Sequence, residues 1–120
     1  MYATEIVELL NAKMLCGEEL PKLEIQSACG SDMMSDVLAF PKERMVLLTG
    51  LTNTHVIRTC EMLDVLLIVF VRGKIPGNDV LEMAEDRDMV VLATPYTLYE
   101  ACGILYKNGL PGGSSARHAE

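Results

Sequence analysis

The chain contains no tryptophan, and only 5% of its 120 residues are aromatic. Half of the residues are nevertheless apolar, so the core is expected to consist mainly of aliphatic side chains and of the eight methionines. This apolar fraction excludes a chain that is disordered throughout. The length suits one domain, which we expect to span residues 1–110. The polar residues 111–120 are predicted to form a flexible tail.

The chain also lacks an excess of positive charge and a long apolar run. Its formal net charge is −7, and an acidic surface repels phosphate backbones, so nucleic acid is not an expected partner. The longest apolar run covers residues 65–71, whereas a membrane-spanning helix needs about 20 residues. No membrane partner is therefore expected.

The four cysteines, Cys16, Cys29, Cys60 and Cys102, form no C-x-x-C pair and have no metal-ligand spacing with the two histidines. The pattern is typical of reduced cysteines, which predicts a cytoplasmic protein. Without metal-ligand spacing, we expect no bound metal, and we expect no cofactor.

What the sequence does contain is a regular series of apolar runs at residues 45–48, 66–71 and 89–93. They do not alternate with polar residues, so each is expected to be a strand buried on both faces of a parallel sheet. Their starts are 21 and 23 residues apart, which leaves room for a helix between strands. The pattern predicts an α/β fold with three layers, α/β/α, and a mainly parallel sheet built from consecutive right-handed βαβ units.

Helix boundaries can also be predicted from single residues. One of residues 52–54 is expected to cap the helix after the first run, and Asn78 the helix after the second. Thr97 and Glu100 have the spacing of a capping box, and Gly109 can end that third helix in the left-handed conformation. The first half predicts shorter elements: a helix over residues 4–10, strands over 13–16 and 23–28, and a helix over 31–38.

Ligands of a parallel α/β sheet bind beyond the carboxyl ends of its strands, where three loops are expected here. The candidate ligand-binding residues are Thr49, Gly50, Thr52, Asn53, Thr54, His55, Arg72, Gly73, Lys74 and Thr94. Their amides, hydroxyls and two cations predict an anionic metabolite or a nucleotide as the ligand. The alternatives are that the first loop only caps a helix, that His55 only bonds locally, and that the two cations pair with surface carboxylates.

A further segment carries acidic and hydroxyl residues four positions apart. Asp32 and Asp36 are expected on one side of a helix, and Ser31 and Ser35 repeat that offset. Paired carboxylates can complement a helix N-terminus, and we favour this role. Contact with a partner, which would include Met33, is the second choice, and a metal or acid–base site is the last.

Catalytic motifs are absent from the sequence. No Gly-Lys-Ser/Thr follows residues 49–51, so there is no Walker A loop, and G-x-G-x-x-G does not occur. No serine or cysteine has an identifiable base beside it. The sequence therefore predicts a protein that is not an enzyme.

Four blocks, at residues 31–39, 47–51, 69–74 and 96–106, together resemble the DRTGG domain family over residues 20–110. The string D-R-T-G-G itself does not occur, and Thr49-Gly50 matches only its centre. The resemblance implies an α/β/α fold similar to the N-terminal domain of HPr kinase/phosphorylase. It also implies an accessory role, because such domains occur in some phosphotransacetylases and in regulatory inorganic pyrophosphatases, where they lie at a dimer interface.

Residues and resemblance together predict a regulatory or ligand-sensing domain that acts as a homodimer and binds an anionic metabolite or nucleotide. The alternative is an interaction module that docks on a partner enzyme or kinase and binds no small molecule. An enzyme that uses Asp32 and Asp36 is the least favoured hypothesis.

Overall fold

The central strands form where the apolar runs predict them. The computed structural model describes residues 1–18 and 20–113. Its strands are β1 (Lys13–Cys16), β2 (Ser27–Gly30), β3 (Met45–Thr49), β4 (Leu67–Phe70) and β5 (Val90–Ala93). Every residue of β3, β4 and β5 is buried, which confirms the prediction of three strands covered on both faces.

The five strands form one sheet in the order β1-β5-β4-β3-β2. Strands β2 to β5 run parallel, and β1 pairs antiparallel with β5. Because the parallel strands follow one another in a single direction, right-handed crossovers place the helices between them on one face. These helices are α2 (Met34–Ala39), α3 (Thr54–Met62) and α4 (Asn78–Asp86). The other face is covered by α1 (Ala3–Leu9) and α5 (Leu98–Lys107), so the three-layer α/β/α prediction is confirmed.

Two apolar cores lie on the two faces of the sheet. Successive side chains of a strand point to opposite faces, so Val46 and Leu48 pack under α1 and α5, whereas Met45 and Leu47 pack under α2, α3 and α4. Both cores are made mainly of aliphatic residues. Polar groups that could meet a ligand are thereby restricted to the ends of the strands and the outer faces of the helices.

The two helices that follow β3 and β4 begin differently. Of residues 52–54, one of which is expected to cap α3, Asn53 is the cap, because its Oδ1 accepts a hydrogen bond from the backbone N–H of His55 at 3.0 Å. The prediction that Asn78 caps α4 is wrong. Gly77 occupies the N-cap and Asn78 is the first helical residue, so its side chain is not placed to reach back over the free amides.

Both predicted boundary signals of α5 are confirmed. Thr97 and Glu100 form a capping box at its start. At its end, Gly109 has a φ of 100°, and the N–H of Leu110 donates to the carbonyl of Leu105 at 3.0 Å. This six-to-one bond is the Schellman arrangement, in which the residue after the glycine packs back on the helix.

The segment after α5 reaches β2, the edge strand at the other end of the sheet from β1. Leu110 is buried, and the carbonyl of Pro111 accepts a hydrogen bond from the N–H of Ala28 in β2 at 3.0 Å. Most of the predicted tail, residues 114–120, lies outside the described residues.

The strand predicted over residues 23–28 has wrong bounds. Its first half pairs with the chain's N-terminus instead of the sheet, since Ala3 N–H donates to Leu23 O at 2.8 Å and Ile25 N–H donates to Met1 O at 2.7 Å. Only Ser27–Gly30 joins the sheet, as the edge strand. Each helix in the described part of the chain is too short or too polar to span a lipid bilayer.

Candidate functional site

The carboxyl ends of β2, β3 and β4 bring three polar segments together, as expected for a parallel sheet. Asp32 follows β2, Gly50 follows β3, and residues 72–74 follow β4. We call this group, made of Asp32, Gly50, Arg72 and Lys74, the carboxyl-edge cluster. Its members are separated by up to 42 positions in sequence, so only the order of the strands makes them neighbours.

The shortest contact of the cluster joins a carboxylate to a backbone amide. Asp32 Oδ1 accepts a hydrogen bond from the N–H of Gly50 at 2.6 Å and from the hydroxyl of Thr49 at 3.2 Å. Charge-assisted bonds of this kind are shorter and stronger than those between neutral groups. The N–H of Gly50, which we predicted to bind an external anion, is therefore already bonded to the carboxylate of Asp32.

Two charged side chains approach the backbone of Gly50 closely. A Cβ at this position would lie 2.8 Å from Arg72 Nη2 and 3.3 Å from Asp32 Oδ1. The guanidinium and the carboxylate thus lie around the same backbone carbon, and a Cβ there would require the end of the Arg72 side chain to shift. Lys74 completes the cluster, because its Nζ donates to the carbonyl of Gly50 at 2.9 Å.

Residues 71–74 form a tight turn that presents the two cations. Arg72 and Gly73 both have positive φ, 59° and 67°. This conformation is easy for glycine and uncommon for arginine. The loop after β5 holds the turn, since Arg72 N–H donates to Tyr96 O at 2.7 Å and Gly73 N–H donates to Thr94 O at 2.8 Å. The backbone of Arg72 is therefore held in a conformation that it would rarely adopt alone.

The cations of the cluster are not used in ion pairs within the described structure. There, the salt bridge joins Arg87 to Glu61 at 2.7 Å, between α4 and α3. Neither Arg72 nor Lys74 forms an ion pair with any residue that the structure describes. The alternative that they serve only as surface ion-pair partners thus receives no support from these residues.

Two of the predicted ligand-binding threonines have hydroxyls that are used inside the fold. Thr49 is fully buried, bonds to Asp32 and accepts the N–H of Leu51 at 3.1 Å. Thr94 is also fully buried, and its hydroxyl donates to the carbonyl of Leu10 at 2.6 Å. Both threonines support the loops from beneath rather than exposing a hydroxyl to solvent.

The remaining predicted residues lie beside the cluster at the start of α3. Asn53 uses its side chain as the cap, Thr52 and Thr54 are half-buried, and His55 is exposed in the first turn. The structure thus brings Gly50, Arg72, Gly73 and Lys74 together and leaves residues 52–55 at the rim.

The expectation that Asp32 and Asp36 share one side of a helix is wrong. Helix α2 begins only at Met34, with Met33 as N-cap. Ser31 Oγ accepts the N–H of Met33 at 3.0 Å, a local bond that competes with helix formation. Asp32 therefore belongs to the loop and to Gly50, whereas Asp36 lies on α2 with Ser35, exposed to solvent. Sequence reasoning missed the Asp32–Gly50 contact because no local signal links residues 18 positions apart.

The thiols are unsuited to nucleophilic chemistry. Burial raises the pKa of all four cysteines, and it raises the pKa of Cys60 to about 12. A thiol of raised pKa holds little of the reactive thiolate at neutral pH. Within residues 1–18 and 20–113, no three histidine, cysteine or acidic side chains are grouped to hold a metal ion.

A second surface lies away from the carboxyl-edge cluster, on the face of the sheet that α1 and α5 cover, between α5 and the edge strand β2. It is an open, mainly apolar groove of about 560 Å³, lined by Ala28, Gly30, Tyr99, Cys102, Gly103 and Tyr106, among others. Sequence reasoning considered only the inward side of α5. The spacing of residues 99, 103 and 106 could have indicated the outward stripe.

No family model and no curated protein matches the sequence. The fold is similar to a solved structure of the CBS and DRTGG domains from the regulatory region of a Clostridium perfringens pyrophosphatase, complexed with its activator diadenosine tetraphosphate. The TM-score is 0.67 and the sequence identity 17%. The match covers 93% of this chain and 48% of that one, so the chain spans about half of the matched structure. This likeness supports the DRTGG-like fold.

Proposed function

We propose that this chain is a regulatory domain without catalysis of its own, that it acts as a homodimer in the cytoplasm, and that it senses an anionic metabolite or nucleotide at the carboxyl-edge cluster. The observation that carries the proposal is the convergence of Arg72 and Lys74 on Gly50, with no ion pair to another described residue. Two neighbouring cations that form no ion pair with a described residue suit a phosphate group.

Asp32 narrows the class of ligand. Its carboxylate lies at the same amide, so it repels a bare phosphate but accepts hydrogen bonds from hydroxyl or amino groups. A ligand that has both a phosphate and such donors satisfies the cations and the carboxylate together. Nucleotides and sugar phosphates carry such donors away from the phosphate group, whereas the donors of inorganic phosphate are hydroxyls on the phosphorus itself.

The matched pyrophosphatase region supports a nucleotide in particular. That region is regulatory, and its structure contains a dinucleotide activator. The high thiol pKa values and the sequence without a catalytic motif favour a sensor over an enzyme. Four unpaired cysteines are typical of a reducing compartment.

The ligand proposal is tested by calorimetric titration with ATP, glucose 6-phosphate and inorganic phosphate at fixed ionic strength. We expect a nucleotide or the sugar phosphate to bind, and the double variant Arg72→Ala/Lys74→Ala to lose at least about tenfold in affinity, since charged hydrogen bonds contribute roughly 1.5–3 kcal/mol each. Lys13→Ala/Lys22→Ala removes the same charge from exposed positions elsewhere and should bind normally. Equal losses in both variants would mean that only net charge matters.

The variant Asp32→Asn tests the contribution of the carboxylate separately from that of the two cations. Asparagine keeps an acceptor for Gly50 but removes the negative charge. We expect this variant to bind inorganic phosphate more tightly and to discriminate less between phosphate and nucleotide. Unchanged discrimination would place the ligand elsewhere.

The alternative function is docking on a partner enzyme or kinase without a small molecule. The observation that favours it is the exposure of Met33 (59%) and Phe40 (66%) at the two ends of α2. Under this alternative, no anion raises the melting temperature, and Met33→Asp abolishes capture of the partner. Binding of a nucleotide at micromolar concentration would instead favour the sensor.

A further inference from the structure

Helix α5 carries an outer stripe that residues 1–18 and 20–113 leave uncovered. Tyr99 and Tyr106 are 88% and 69% exposed, and Gly103 lies between them at four- and three-residue spacing. These positions share one side of a helix. Two large aromatic side chains therefore stand in solvent on either side of a residue that has no side chain.

The fold gives no reason for a glycine at this position. A Cβ on Gly103 would meet no atom of another described residue within 4 Å, and the residue lies inside a helix, where glycine is a poor helix former. Neither the space around the Cβ nor the backbone conformation excludes alanine. The remaining physical use of a bare backbone here is to let another surface approach the helix closely.

The face combines small residues with large exposed ones. The groove of about 560 Å³ beside the stripe is lined by the small residues Ala28, Gly30 and Gly103 and by the largely exposed Tyr99 and Tyr106. Projections and hollow thus lie next to each other on one patch. A two-fold contact needs such a patch, because the same residues must supply both parts.

The charges of the face also fit a second copy. The groove is lined by one acid and one base, Glu100 and Lys107, so the face is neutral on a chain of net charge −7. An α-helix rises by about 1.5 Å per residue. If a two-fold axis at Gly103 sets two α5 helices antiparallel, the heights of Glu100 and of Lys107 of the second copy along the helix axis differ by only about 1.5 Å. In that arrangement the opposite charges would meet twice, with Glu100 using the oxygen that the capping box leaves available, and Tyr99 would face Tyr106 of the second copy.

We propose that this face, made of the outer side of α5 and the groove along β2, binds a second copy of the chain through antiparallel α5 helices. The inference rests on the homodimer in the proposed function and names its surface. It does not depend on the ligand, because the carboxyl-edge cluster is formed by other residues.

Sedimentation equilibrium of the full chain tests the interface. We expect the wild-type chain to dimerise at micromolar concentration, and Gly103→Gln to raise the dimer Kd by roughly thirtyfold or more, the effect of a central interface residue. Lys107→Glu should weaken the dimer as well, by placing like charges opposite each other. Met62→Gln, which changes an exposed apolar residue on α3, is the matched control and should leave the Kd unchanged.

The melting temperature of Gly103→Gln shows whether this variant keeps the fold. Because the Cβ of residue 103 meets open space, Gly103→Gln should melt at the same or a higher temperature than the wild type at concentrations where both are monomers. A wild-type chain that is monomeric at tens of micromolar would overturn both the homodimer and its surface. A dimer that tolerates Gly103→Gln would overturn the surface alone. Calorimetric binding of the nucleotide is the separate readout of the sensor.

Discussion

Gly17 and Cys60 illustrate how single residues are constrained by what surrounds them. Gly17 has a φ of 131°, and a Cβ there would lie 2.7 Å from the Cα of Val90, so both backbone conformation and space require glycine. Cys60 is fully buried on α3 among aliphatic residues, and burial raises the pKa of its thiol because the charged form cannot be solvated. One constraint is steric and the other electrostatic, and both follow from close packing.

The buried Cys60 makes stability depend on alkaline pH. The pKa of its thiol is about 12 in the folded chain, against 9.0 for an unperturbed thiol. Above pH 9 the unfolded chain releases this proton more readily than the folded chain, so the free energy of unfolding falls as pH rises from 9 towards 12. We expect a loss of about 1 kcal/mol from Cys60 between pH 8 and pH 10, measured by urea denaturation.

Cys60→Ala is the control for that measurement. It lowers stability at every pH by removing buried volume, but its pH dependence should be shallower than that of the wild type. Parallel pH profiles of the two proteins would contradict the raised pKa.

Among the elements, helices α3 and α4 have the same length of nine residues but different starts. The side chain of Asn53 satisfies an amide at the start of α3, whereas α4 begins after Gly77 with no side-chain cap from any described residue. Both helices pack on the same face of the sheet, so they offer a matched pair in one protein.

The difference predicts unequal effects of the same substitution. Asn53→Ala should lower the free energy of unfolding by about 1 kcal/mol, because a helix amide loses its acceptor. Asn78→Ala should change it by less than about 0.5 kcal/mol or raise it, since alanine is the better helix former at a position that caps nothing. Urea denaturation of both variants measures this, and equal losses would mean that Asn78 contributes to the start of α4.

For the whole molecule, the layered arrangement determines which strands can unfold locally while the rest of the sheet stays folded. Strands β3, β4 and β5 are covered on both faces and flanked by strands on both sides, whereas β1 and β2 are the edges. The edge strands are also only partly buried. Local opening is easiest where few apolar contacts must be broken.

Amide hydrogen exchange should therefore be slowest in β4 at the centre of the sheet. We expect the protection of β1 and β2 to be lower by roughly one to two orders of magnitude, because these edges can open without global unfolding. Exchange measured by NMR in dilute protein, where a dimer does not cover β2, provides the comparison. Uniform protection across all five strands would show that the sheet opens only as one unit.

The sequence alone determined the α/β class, the three central strands and the boundaries of α5. These features depend on local chemistry: unbroken apolar runs, a capping box at Thr97 and a left-handed residue at Gly109. Each signal lies within a few residues of the structure it predicts, so no knowledge of distant contacts is needed.

Only the tertiary structure decided the strand order and the makeup of the carboxyl-edge cluster. The strand order sets Asp32, Gly50 and Arg72 side by side, and the bond from Gly50 to Asp32 draws that aspartate away from the helix predicted for it. The uncovered face of α5 depends likewise on which side of the helix the sheet covers. Such contacts join residues far apart in the chain, and no periodicity in sequence records them, because they arise only when the layers pack.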